Sequence, residues 1–107
     1  MNYFLDWREF QGTQAEKFFK TTLWKGTAVT IGLNCLEPGQ AQAVHAHEDA
    51  DKFYFVTSGT GIFTVADETR SAGTGMLVIA PAGIPHGVRN EGFERLSILV
   101  GIAPPIK

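Results

Sequence analysis

The sequence has one cysteine, Cys35, no cluster among its nine lysines and arginines, and no apolar run approaching the roughly 20 residues of a membrane helix. Each absence removes a class of function. A lone cysteine cannot close an internal disulfide, and the opening residues MNYFLDWREF carry neither the basic nor the apolar stretch of a secretory leader, so a cytoplasmic protein is expected. With a formal net charge of -2 and its basic residues scattered, the chain offers no concentrated positive surface to a phosphate backbone. Neither a nucleic acid nor a membrane is expected as a partner. A sustained 3.6-residue apolar period is missing as well, which argues against a helical fold.

What the chain has is apolar material in short alternating runs. Its 107 residues are 44% hydrophobic and include 8 Phe, enough for one modest core, so a single domain over residues 1–107 is expected. Thr27 to Cys35 alternates, with Val29, Ile31, Leu33 and Cys35 on one face, and stops at the turn Glu37-Pro38-Gly39-Gln40. Lys52 to Ser58 is aromatic and β-branched, and Gly59-Thr60-Gly61 then leads into Ile62 to Val65, the pattern of an antiparallel hairpin. Ala66-Asp67-Glu68 marks the next reversal. Further strands are expected at Met76 to Ile79, His86 to Asn90 and Arg95 to Gly101, separated by Pro81 to Pro85 and by Asn90-Glu91-Gly92. The segment Asp6 to Phe19 is read as strand, with a helical turn over Gln14 to Phe19 as the alternative. Short strands with turns at this spacing describe an all-β domain, either a sandwich or a closed barrel.

Chemistry concentrates in the stretch HAHEDADKFYF, His45 to Phe55. In a strand, residues two apart share a face, so His45 and His47 would direct both rings to one side at a separation suited to a common ion. A polar strand end that happens to contain two histidines has the same spacing, and the pair alone does not decide between them. A third histidine follows in GMLVIAPAGIPHGVRN, where Pro81 and Gly83 shape a tight turn in front of His86.

Taken together, these residues resemble the two motifs of the cupin superfamily. The first runs from Gly39 through five residues to His45-Ala46-His47, then four residues to Lys52 and six more to Gly59. Its one departure is Lys52, at the position where that family usually carries glutamate. The second is complete: Gly75, five residues, Pro81, Ala82, Gly83, two residues, His86, three residues, Asn90. Together they cover Gly39 to Asn90, about half the chain.

The resemblance implies a small antiparallel jelly-roll β-barrel with a metal site near one mouth and, as in many small members, a homodimer. It carries the family's metal ligands onto His45, His47 and His86, which suit one divalent transition metal, Fe, Zn, Ni, Mn or Cu, and leave positions open for water or substrate. An ionised Lys52 cannot replace the glutamate as a ligand, because an ammonium has no lone pair, which leaves two outcomes if it enters the cavity: a bound anion bridges metal and ammonium, or the lysine loses its proton under the metal's field. Asp51 would reach inward only if a bulge turned it. Lys52 either points into or borders the cavity or turns to solvent, and Tyr54 and Val56 share its face, while Phe53 and Phe55 face the other way, toward the N-terminal segment or a second subunit. Three neutral imidazoles without a carboxylate leave a divalent site at about +2, and an ionised lysine adds another charge, so a small anionic ligand is expected, with Lys52, Tyr54 and Arg89 as its contacts. Two functions fit: a dioxygenase or related isomerase or decarboxylase acting on a small acid, or a non-catalytic small-molecule-binding or sensor barrel. No residue is singled out as catalytic.

Overall fold

Alternation of buried and exposed side chains, expected from the apolar runs, organises the molecule into two antiparallel sheets. The structure, a computed structural model, describes residues 2–105; Met1, Ile106 and Lys107, at the limits of the expected 1–107 domain, lie outside the described residues. A short 3-10 helix, Trp7–Phe10, is followed by β1 (Phe19–Lys25), β2 (Thr30–Leu36), β3 (Ala41–His45), β4 (Asp51–Ser58), β5 (Thr60–Val65), β6 (Glu68–Gly73), β7 (Leu77–Ala80), β8 (His86–Arg89) and β9 (Leu96–Ala103). One sheet has the order β1-β2-β9-β4-β7 and the other β3-β8-β5-β6. Every pairing is antiparallel.

The core lies between the sheets. Leu36, Tyr54, Val56, Leu96, Ile98 and Val100 enter from the five-stranded sheet and Phe63, Ala72 and Val88 from the other. Burial of each large apolar side chain contributes about 1.5–3 kcal/mol, so it is this apolar packing that holds the two sheets together. Leu33 and Cys35 are also fully buried, but on the outer face of the five-stranded sheet, beneath the N-terminal segment. That segment is tied down by Ser97 Oγ donating to Gln11 Oε1 at 2.9 Å and by Gln40 Nε2 donating to the carbonyls of Gln14 and Lys17.

Two expectations change, and one strand was not foreseen. Asp6 to Phe19 is not a strand: it contains the 3-10 helix and irregular chain, held from outside by the side-chain bonds just described, and β1 begins only at Phe19. The strand β6 lacked any apolar signal because Glu68–Gly73 is a sheet edge with a single buried residue, Ala72. Strands β4 and β5 do not form a hairpin, since β4 pairs with β7 and β9 while β5 pairs with β6 and β8. Gly59, at φ 85, is the single residue between them and turns the chain from one sheet to the other. A Cβ there would lie 2.5 Å from the Arg95 carbonyl oxygen, so both the backbone conformation and the space call for glycine.

Candidate metal centre

The end of β3 and the start of β8 lie side by side, with His45 and His86 paired in register. Between Gln42 and His45 the β3–β8 register shifts, because three steps along β3 match two along β8. In a regular strand Gln42 and His45 would face opposite ways; the bulge lets both face the interior, where Gln42 meets Tyr54 and His45 meets His86. Gly87 permits the close approach, since a Cβ there would stand 2.9 Å from the Gln42 carbonyl oxygen.

His47 reaches the same place by another route. The strand ends at His45, so the expected strand alternation does not carry His47; it sits in the following loop, and its carbonyl accepts a hydrogen bond from the Gly83 N–H at 2.8 Å. Gly83 adopts φ 78 within the turn that leads to His86. One bond thus ties the loop bearing His47 to the turn preceding His86. The three ring centroids are 4.4, 4.8 and 5.6 Å apart. Potential ligand atoms from all three rings lie within 4.8 Å of one another.

The rings are also oriented for a cation. His45 Nδ1 lies 2.8 Å from the Ala43 carbonyl and His86 Nδ1 2.9 Å from the Ile84 carbonyl. A carbonyl can only accept, so Nδ1 of each ring carries the proton and the lone pair falls on Nε2. His86 is 1% exposed, and its Nε2 is the one buried side-chain polar atom among the described residues with no hydrogen-bond partner. An orphaned lone pair aimed at two further imidazoles is what a metal ligand looks like before its ion, and the residues present fit such an ion.

Lys52 does enter this site. It is only 5% exposed, on the same interior face as Tyr54 and Val56, and its Nζ stands 4.6 Å from the Tyr54 ring centroid. Burial first, and the charge of Lys20 second, push its pKa down to about 8. Burial likewise lowers His47 and His86, and the Lys52 charge depresses both further. Both effects favour the neutral form of His47 and His86, the form that binds metal. Tyr54 is completely buried, donates its hydroxyl to Gln42 Oε1, and is held protonated by burial.

Two residues weighed for the site lie elsewhere. Asp51 faces outward, and its Oδ1 accepts the Ala82 N–H at 2.9 Å, so its carboxylate braces the Pro81–Pro85 turn. Arg89 follows Val88 on β8, projects from the outer face, and pairs with Glu91. Asn90, which closes the second motif, is structural: its amide donates to the carbonyls of Leu36 and Glu94, both at 2.8 Å. Gln42 was missed, and the polar residue three before His45 gave no signal because only the bulge turns it inward.

The family described as Cupin domain matches residues 32–102, about two thirds of the chain. The chain is a cupin. Among its relatives is the uncharacterised protein SCO3923 of Streptomyces coelicolor, 35% identical over 77 residues, covering 72% of this cupin and 71% of that protein. The crystal structure of TT1209 from Thermus thermophilus superposes with a TM-score of 0.91 at 38% identity, covering 94% of this chain and 96% of that one. A Thermotoga maritima structure described as a predicted oxalate decarboxylase superposes with a TM-score of 0.69 at 25% identity, over 72% of this cupin and 67% of that chain. These likenesses agree with the jelly-roll arrangement of the two sheets. No helix among the described residues is long and apolar enough to cross a membrane.

Proposed function

We propose that this cupin, a single domain, holds one divalent transition metal on His45, His47 and His86 and acts as a dioxygenase or related enzyme on a small anionic organic substrate. The observation that carries the reading is the unpartnered, buried Nε2 of His86 facing the other two rings. A metal bound there would supply Lewis-acid or redox chemistry at the positions that three imidazoles leave open. The chain's own residues do the rest. Lys52 neutralises substrate charge, Tyr54 and Gln42 floor the site, and the Ala43 and Ile84 carbonyls hold the rings in the metal-binding tautomer. Arg89, on the outer face, has no part in it. The likeness to a protein described as a predicted oxalate decarboxylase supports a small organic acid as substrate. Cytoplasmic residence belongs to the same reading, with Cys35 a buried free thiol, as does pairing of two copies into a homodimer.

Elemental analysis of protein purified without a metal-carrying tag tests the site. Near-stoichiometric metal is expected, with His45→Ala, His47→Ala and His86→Ala each losing most of it while remaining folded, because the sheets hold the fold. Full occupancy in all three variants would overturn the assignment. A non-catalytic binding barrel is the second reading, favoured by the absence of a carboxylate beside the three histidines among the described residues. Turnover across a panel of small organic acids, with oxygen consumption followed, separates the two.

A further inference from the structure

We propose that Lys52 makes metal binding at the three histidines depend on an anion: a small carboxylate seated on its ammonium supplies the negative charge that the imidazoles lack. The inference rests on the metal reading above and adds a linkage to it.

The observations concern one uncompensated charge. Lys52 opens β4 on its interior face, opposite Ala80 of β7 and Ile102 of β9, so small or apolar side chains flank it within the sheet. None of the three ion pairs among the described residues includes it. Of the nearby acids, Asp51 points outward and is engaged by the Ala82 N–H, and Glu48 and Asp49 are exposed. The Tyr54 ring holds the ammonium in place through its π face, and the bond to Gln42 fixes that ring. The site therefore holds a positioned cation beside three neutral ligands. A divalent metal arriving there meets repulsion at short range in a medium less polar than water. A carboxylate seated on Lys52 changes the sign of that interaction, since the metal then faces a neutral pair with an oxygen lone pair to share. Reciprocity follows: whatever the anion adds to metal affinity, the metal adds to anion affinity. The ligand class is a small organic acid, because the seat is a single buried ammonium on an aromatic floor.

The test is a cobalt(II) titration of the metal-free full chain in acetate or in uncharged acetamide, at constant ionic strength. Acetate should raise cobalt affinity at least about tenfold, about 1.4 kcal/mol. Lys52→Met, which keeps the bulk and loses the charge, should bind cobalt more tightly than wild type in acetamide and lose most of the acetate effect. Lys52→Glu should bind tightly in both solutions, with acetate giving no further gain. Near-UV circular dichroism checks that both variants are folded. Unchanged wild-type affinity in acetate, or the same acetate dependence in Lys52→Met, overturns the inference alone. If wild type binds no cobalt in either solution and matches His86→Ala, the metal reading falls with it.

Discussion

Burial of Lys52, His47 and His86 gives the metal-free protein a pH dependence whose sign follows from each shift. For Lys52 the folded pKa is about 8 against 10.5 when unfolded. Between those values the unfolded chain binds more protons than the folded one, so stability rises with pH across that window. The rise should be at most about 3 kcal/mol, and Lys52→Met, with nothing to titrate, should lack it and be the more stable protein at neutral pH. Urea unfolding of both proteins from about pH 8 to about pH 10.5 measures the difference. The histidines act in the acid range. Their folded pKa values lie below the unfolded 6.5, so the unfolded chain takes up protons first as pH falls, and stability present above 6.5 is lost as pH drops through the folded values. His86→Ala should show a shallower acid limb. A metal would deepen the limb, because protons and the ion compete for the same lone pairs.

At the scale of elements, the site depends on how the turn Pro81–Pro85 is braced. The Asp51 carboxylate takes the Ala82 N–H and the His47 carbonyl takes the Gly83 N–H, so β4 and the His47 loop hold the turn from two sides. Asp51→Ala should cost about 1 kcal/mol and weaken metal affinity several-fold without removing a ligand; equilibrium unfolding and a metal titration read the two effects. Gly83→Ala places a Cβ on a residue at φ 78 and should cost roughly 1–2 kcal/mol. The motif spacing was legible because these positions answer to local chemistry: a positive φ at Gly59 and Gly83, a tight turn at Pro81, lone pairs at three histidines. The inward direction of Lys52 was legible too, as simple alternation from Tyr54 and Val56. Other features were not. The bulge that turns Gln42 inward arises from pairing with β8, a partner more than forty residues away, and β6 is too polar to announce itself. That β4 and β5 belong to different sheets is equally non-local, because a glycine turn between two apolar strands looks the same whether it closes a hairpin or crosses a sandwich.

For the whole molecule, the outer face of the five-stranded sheet is the unfinished surface. The N-terminal segment covers it over Cys35 and Ser97, but beyond that cover stand Phe55 at 37% exposure and Leu77 and Ile79 at 53% each. Phe53 packs over Gly101, where a Cβ would come 2.1 Å from its ring. Along β4 and β7 the outward side chains are Phe53, Phe55, Thr57, Leu77 and Ile79, with the charged Asp51 only at the rim. A contiguous uncharged patch at a sheet edge invites association. In the homodimer proposed above a second copy of the chain would cover it, since two such faces related by a two-fold axis meet with no charge to desolvate. A stable pair buries about 800 Å² from each partner. Phe53→Asp and Phe55→Asp would each bury a carboxylate in an apolar contact and should convert the proposed dimer to monomer at micromolar concentration. Light scattering coupled to size-exclusion chromatography gives the mass directly. The metal site lies on the opposite side of the same sheet, so a monomeric Phe55→Asp protein should keep its cobalt affinity and its acetate dependence. Dimers that persist in both variants would place the contact on another face.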